Sequence, residues 1–322
     1  MSMPANSFAT YQAIGNREDL TNIIYRIDPT DTPFVSSIAR EGATAVKHEW
    51  QTQALAAAGS NAQLEGDDPS TNATTPTVRL SNVTQISYKV ARVTGTQQSV
   101  RHAGRSNEMG YQAMLKGMEL KRDLEFNALA NVTQVAGDTT TARQTSAVLS
   151  WIKTNVDKAS DGTNPSTSGS NSRGDGTQRA FTESQLKGVL SSCWTNGGKP
   201  NMIMVGAFNK QVFSTFTGRA TTVQEADSKK IVASVEAYES DFGRLKVVPN
   251  RFMRLDGNSR VGREALVLQT DLWALGFLNG RNMIQIPLAK TGDSERRQVL
   301  AEWALVSRNE KGSGIVADLT TA

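Results

Sequence analysis

Cysteine occurs once in the 322 residues, at position 193, and histidine twice, at positions 48 and 102. A single thiol cannot close an intrachain disulfide, so the chain is expected to fold without meeting an oxidising compartment. So few soft and imidazole ligands leave zinc without its usual donors. A Ser-His-Asp or Cys-His nucleophile would have to use His48 or His102, and neither sits in a nucleophile elbow. No catalytic, cofactor or metal residue is therefore assigned. Long apolar runs are also missing. The longest, Met202–Phe208, has seven residues, against the roughly 20 needed to cross a bilayer, so no membrane partner is expected. The opening MSMPANSFATYQ has no basic stretch followed by an apolar core and is not a secretory signal.

Charge of one sign is not concentrated anywhere. Lys and Arg number 35 against 31 Asp and Glu, a net charge of +4. Residues 1–135 hold 12 basic and 13 acidic side chains, which leaves 23 and 18 for the remainder. A sequence-reading nucleic-acid protein usually gathers its cations into a stripe, and none is seen. Several short matches carry no chemistry either. Asn72, Asn82 and Asn131 each begin a glycosylation triplet, but no secretion signal accompanies them. Arg173-Gly174-Asp175 lies in a Gly/Ser/Asp tract, Gly312-Ser313-Gly314 is followed by no phosphate-loop lysine, and Asp67-Asp68 lacks calcium-loop spacing.

A composition 38% hydrophobic and 20% charged reads as globular, with length for one large domain or two. Residues 16–27, NREDLTNIIYRI, place Leu20, Ile23, Ile24 and Ile27 on one helical stripe behind an Asn16 cap. Asp28-Pro29 stops that helix, and Thr32-Pro33 starts a second carrying Phe34, Val35 and Ile38. Burying the four-residue stripe yields about 6–12 kcal/mol, whereas ordering its backbone costs about 12–24 kcal/mol. The segment must dock on something larger.

Strand texture follows at Val46–Thr52 and Thr77–Thr94. Between them Gln53–Pro76 is small, polar and acidic, with Glu65, Asp67 and Asp68, and is too long for a tight hairpin; it reads as a projecting arm. Asn107–Val135 is the longest helix candidate. Tyr111, Met114, Leu115, Met118, Phe126, Leu129 and Val132 form its apolar face, and Arg122 and Glu125 are expected to pair across one turn. Ser146–Val156 reads as core, and Asp157–Gln178 as a mobile surface excursion. Then comes a compact α/β pattern. Thr182 to Gln185 form a capping box, Leu186, Val189, Leu190, Cys193 and Trp194 stripe a helix, and Asn196-Gly197-Gly198 ends it. Asn201–Val205 is a buried strand, and Phe208, Val212, Phe213 and Phe216 stripe another helix closed by Gly218. Further strands are expected at Ile231–Glu239, Leu245–Val248, Ala265–Gln269, Ile284–Leu288 and within Arg296–Ser307, with turns at Asp241–Gly243 and Asp256–Asn258. Asp271–Gly276 reads as a helix cap followed by core.

This order of parts, with the stretches GNREDLTNIIYRIDPTDTPFVSSI, VEAYESDFGRLKVVPNRFM and KTGDSERRQVLAEWALVSRNEKGSG, resembles the major capsid (head) proteins of tailed bacteriophages, of the Hong Kong 97 type and of a subfamily often labelled a domain of unknown function. The likeness runs from about residue 8 to 318. It implies an α+β fold with an N-terminal arm at 1–45, an extended two-stranded loop at 46–95, and a peripheral domain at 96–156 containing a spine helix at 107–135. It further implies a flexible insertion at 157–177, an axial domain at 178–285 and C-terminal strands at 286–322 returning to the peripheral domain. The implied function is structural: a self-assembling virion protein, made in the host bacterial cytoplasm, whose pentamers and hexamers enclose double-stranded DNA as an icosahedral head.

The implied inter-subunit arm residues are Leu20, Ile23, Ile24, Ile27, Phe34 and Ile38, with the two short helices lying on a neighbour or the inner wall. Extended-loop contacts fall to Trp50, Glu65, Asp67 and Asp68, and inner-face DNA contacts to Arg17, Arg26, Lys121 and Arg122. Implied partners are the chain itself, scaffolding and portal proteins, and a cementing or decoration protein. One feature departs from the family's namesake. Its extended loop supplies a crosslinking lysine, whereas Gln53–Pro76 has none, so a shell held by non-covalent contacts is expected. A decoration or tail component, or an enzyme with an unrecognised site, stays open as an alternative on sequence alone.

Overall fold

A computed structural model of the chain describes residues 30–68, 71, 73–101, 107–216, 236–253 and 261–321. The helix expected over 16–27, the turn at Asp256–Asn258, Gly218 and the start of the strand expected from Ile231 lie outside them.

Helix α1 (Pro33–Ser37) begins at Thr32-Pro33 as expected, and β1 (Ala39–Ala43) follows. Two strands, β2 (Lys47–Thr52) and β3 (Val78–Val83), pair antiparallel as an isolated ribbon. β4 (Gln85–Thr94) is no part of it. The chain crosses at Thr84 into a five-stranded sheet, where β4 pairs antiparallel with β12 (Ser294–Ser307). The rest of that sheet runs β1, β10 (Trp273–Leu278), β12 and β11 (Ile284–Leu288). The expected cap at Asp271 is a single 3-10 turn, Thr270–Leu272, which delivers the chain directly into β10.

After a short α2 (Gly95–Ser99), α3 (Glu108–Leu129) lies over one face of this sheet. The Asn107 side chain caps it by accepting from Gly110 N at 2.9 Å. α3 has 22 residues and is about 33 Å long; it ends at Leu129, six residues short of Val135. Its buried side is Met109, Ala113, Leu120, Leu124, Glu125, Ala128 and Leu129. Most of the stripe expected from sequence therefore lies outside the core: Tyr111, Leu115, Met118 and Phe126 are half-buried and Met114 is exposed. Large side chains outweighed small ones in that expectation, yet close packing against a sheet favours Ala113 and Ala128, which let the backbones approach.

The segments α4 (Val148–Trp151) and β5 (Val156–Asp157) lead to α5 (Glu183–Thr195). The capping box of α5 is present in full, and Leu186, Val189, Leu190 and Cys193 are buried, whereas Trp194 points to solvent. Gly197 terminates the helix at φ +84. A six-stranded sheet runs β5, β13 (Gly314–Val316), β9 (Ala265–Leu268), β6 (Met202–Val205), β8 (Gly243–Pro249) and β7 (Ala237–Ser240). α6 (Ala207–Phe213) follows β6. β6 and β9 are buried at every position, as unbroken MIMV and ALVL runs covered on both faces require. The largest core joins the two sheets, with Phe34, Trp151, Trp273 and Trp303 packed among Met204, Leu266 and Leu268.

Residues 157–177 are not a mobile excursion. Thr163 and Gly174 form a β-bridge, Gly169 N donates to Ser150 O at 2.8 Å, and Arg173 is buried. Asn131 clamps Arg173 from both sides, accepting from its N–H at 2.9 Å and donating to its carbonyl at 2.7 Å. Composition suggested disorder because it counts apolar residues, but here buried polar partners supply the order. Gly169 has φ +78, and a Cβ there would lie 2.8 Å from Trp151 Cζ2. Replacing Gly169 with Ala is expected to cost about 1–3 kcal/mol through strain and overpacking, read as a lower thermal midpoint of the soluble protein.

Candidate assembly surfaces

The start of the described chain is fixed by one acid. Proline at the first position of α1 carries no N–H, which leaves the next two amides free. Glu125, at the middle of α3, fills that need: Oε1 accepts from Phe34 N at 2.8 Å and Oε2 from Val35 N at 2.7 Å, while Asn250 Nδ2 donates to Oε1 at 2.7 Å. Thr32, the residue the sequence points to as cap, makes no such bond, and its hydroxyl meets Ser36 Oγ instead. Glu125 is fully buried. Desolvation pushes its pKa up, and the bonds from Val35, Phe34 and Asn250 hold it down in part. The expected Arg122–Glu125 pair does not form, because the carboxylate turns into the core.

Phe34 and Ile38 therefore cover this protomer's own interior, with Phe34 edge-on to Trp273 at 6.3 Å between centroids. Their assignment to a contact with a neighbour is corrected: they anchor the arm rather than extend it. Leu20, Ile23, Ile24, Ile27, Arg17 and Arg26 lie outside the described residues. Lys121 and Arg122 are half-buried on α3, and Lys121 Nζ reaches Ser36 Oγ at 3.4 Å.

The ribbon is stitched to the body at its base. Trp50 Nε1 donates to Ser307 O at 2.9 Å, and its ring lies 5.5 Å from that of Trp151. Asn82 Nδ2 donates to Leu305 O at 2.6 Å. Trp50, half-buried, thus props the ribbon against its own body. Beyond Thr52 the loop is open. Glu65, Asp67 and Asp68 are exposed around a turn closed by Asp67 N donating to Leu64 O, with Gly66 at φ +86. Leu55 is 97% exposed and Leu64 81%. Both stand out in the sequence as lone large aliphatics in a polar stretch, and the assigned contact residues omitted them.

The segment 157–177 is locked by a buried ionic cluster that no sequence spacing announces. Arg173 Nε lies 3.4 Å from Glu264 Oε1, and its Nη2 3.8 Å from Asp318 Oδ2. Asp318 also accepts from Ala159 N at 2.9 Å and Gly176 N at 2.7 Å, holding φ +59. Asp175, facing Arg263 at 3.6 Å, completes a trio of carboxylates with ligand atoms within 4.8 Å of one another. The guanidinium of Arg173 sits against this trio and serves as its cation. Burial pushes the Glu264 pKa up to about 8, against the pull of Arg173 and with further push from Asp318 and Asp175.

A family model described as SU10 major capsid protein matches residues 4–320. A curated relative, the major capsid protein of Escherichia phage Phieco32, is 28% identical over 347 aligned positions covering 96% of each chain. Among solved structures, the capsid of a native GTA particle superposes with a TM-score of 0.64 at 11% identity, covering 97% of this chain and 98% of that one. A Gordonia phage Cozz chain gives 0.59 at 9% identity, covering 99% and 98%. An encapsulin from Synechococcus elongatus gives 0.57 at 9% identity, covering 95% and 93%. At such identities the structural likeness is one of fold.

Because the folded-state pKa of Glu264 stands above its ordinary 4.5, the folded protein holds a proton that the unfolded chain releases. Its contribution to stability is present in full below about 4.5 and is lost as pH rises toward about 8. Replacing Glu264 with Gln is expected to flatten that part of the stability–pH profile, measured by urea midpoints across the range.

Proposed function

Because the chain belongs to the SU10 major capsid protein family, a family of structural virion proteins with the Hong Kong 97 type fold, we propose that it assembles as pentamers and hexamers into the icosahedral head enclosing a tailed phage's double-stranded DNA. The observation that carries this is the family match over residues 4–320, nearly the whole chain. Family membership makes it a shell protein and not an enzyme. Among the described residues no helix is long and apolar enough to cross a membrane.

In this reading residues 1–45 are the arm, held to the body at α1, and Leu20, Ile23, Ile24 and Ile27, spaced in sequence as one helical stripe, are its contacts with a neighbour. The extended loop is the β2–β3 ribbon and the chain between its strands. β4, α3, β10, β11 and β12 make up the peripheral domain, and the six-stranded sheet, β13 included, with α5 and α6 the axial domain around capsomer centres. Each contact between copies can be weak, since every subunit engages several neighbours and a closed shell has no free edge. Arg17, Arg26, Lys121 and Arg122 supply sequence-independent, salt-sensitive contacts to packaged DNA. Scaffolding and portal proteins are further partners, and a cementing protein suits a loop without a crosslinking lysine.

Expression of the chain alone and with its phage's scaffolding protein, viewed by negative-stain electron microscopy, tests the reading. Icosahedral shells or capsomer rings are expected; uniform small monomers under every condition would contradict it.

A further inference from the structure

Asparagine followed by glycine occurs twice in the chain, at Asn196-Gly197 and Asn279-Gly280. Glycine has no side chain to keep its amide nitrogen away from the preceding carboxamide, so in water such a pair can close on itself. Both pairs are exposed, and exposure alone does not separate them. Their bonds do. At the end of α5 Gly197 N donates to Trp194 O at 2.9 Å, and Asn196 Nδ2 donates to Asn155 Oδ1 at 2.8 Å and to Ser192 O at 2.9 Å. Nucleophile and carboxamide are both held. The turn from β10 to β11 holds neither. It is closed by Arg281 N donating to Leu278 O at 2.9 Å, with Gly280 at φ +74, and among the described residues no hydrogen bond engages Gly280 N or the Asn279 side chain. Nothing lies within 4 Å of where a Cβ on Gly280 would stand, so the carboxamide has room to turn toward the amide. Gly42 of β1 faces Asn279 from the other side, where a Cβ would come within 3.2 Å of Oδ1; glycine leaves that side open as well.

We propose that, of the two, Asn279 is where the folded chain undergoes spontaneous deamidation. Gly280 N gives up its proton and bonds to Asn279 Cγ; the Cγ–Nδ2 bond breaks and ammonia leaves with that proton, which closes a succinimide ring. Water then opens the ring at either carbonyl and leaves aspartate or isoaspartate. Water is the sole co-reactant, and nothing is oxidised or reduced. The product adds a negative charge to the turn, close in sequence to Arg281, which pairs with Glu302 at 2.7 Å. Isoaspartate also lengthens the main chain at the residue whose N–H donates to Ala43 O at 3.0 Å, so the change falls where β1, the strand that follows α1, ends against β10. The step is irreversible, and the altered fraction grows with the age of the protein. The inference does not rest on the shell reading.

Peptide mapping by mass spectrometry of the full-length soluble protein, aged in mildly alkaline buffer, is the test. Asn279 is expected to convert about 10-fold or more faster than Asn196, since the bonds that hold Asn196 and Gly197 must break before that pair can react. In urea the difference is expected to close, because the fold alone creates it. As a second readout, the acidic form that builds up in the aged wild type on isoelectric focusing is expected to be missing from N279Q, whose reaction would need a larger ring; the thermal midpoint reports that this variant folds. An Asn279 that stays intact in the folded protein, equal rates at the two asparagines there, or a difference that persists undiminished in urea would overturn the proposal. So would an N279Q protein that turns acidic as fast as wild type.

Discussion

The carboxylate of Glu125 is the constraint on which the leading half of the molecule depends. A charge removed from water in mid-helix is costly unless its oxygens are hydrogen-bonded, and here two amides of α1 and one of Asn250 supply those bonds. These bonds join three distant parts of the chain: α1, α3, which carries the acid, and the residue just after β8. Phe34 and Val35 then follow into the core beside Trp273 and Leu275, and β1 is led onto β10 in parallel register. One buried acid thus fixes where α1 sits on the body.

Polar contacts do comparable work at the other end. Arg173, Glu264 and Asp318 join the 157–177 segment, β9 and the C-terminal residues at a place where no apolar cluster could form from Ser, Gly, Thr and Asn. Burial, more than the neighbouring carboxylates, raises the pKa of Glu264, against the pull of Arg173. The ribbon is managed differently. Trp50 and Asn82 tie its base to β12, while its far loop keeps two leucines in water. A protein that stayed alone would gain by replacing them; a shell subunit has a use for them.

Regular elements were legible wherever apolar periodicity and end signals agreed. The capping box at Thr182 and Gln185, the MIMV and ALVL strands and the Thr32-Pro33 helix start all follow from such agreement. Legibility failed where partners were distant in sequence. Glu125 showed only as an interruption of a stripe and was paired with nearby Arg122, although its partners lie about 90 and 125 residues away. Arg173 hid in a tract that composition marks as disordered. The exposed residues of the loop were visible as a group, but only the fold shows that Arg92 and Arg296, some 200 residues apart, stand side by side.

The most direct measurement is a side-chain-resolution cryo-electron microscopy map of the assembled head. The account predicts that in every pentamer and hexamer position the Glu125 carboxylate meets the Phe34 and Val35 amides of its own chain. Finding α1 seated on the spine helix of an adjacent subunit, or Glu125 facing water, would contradict it.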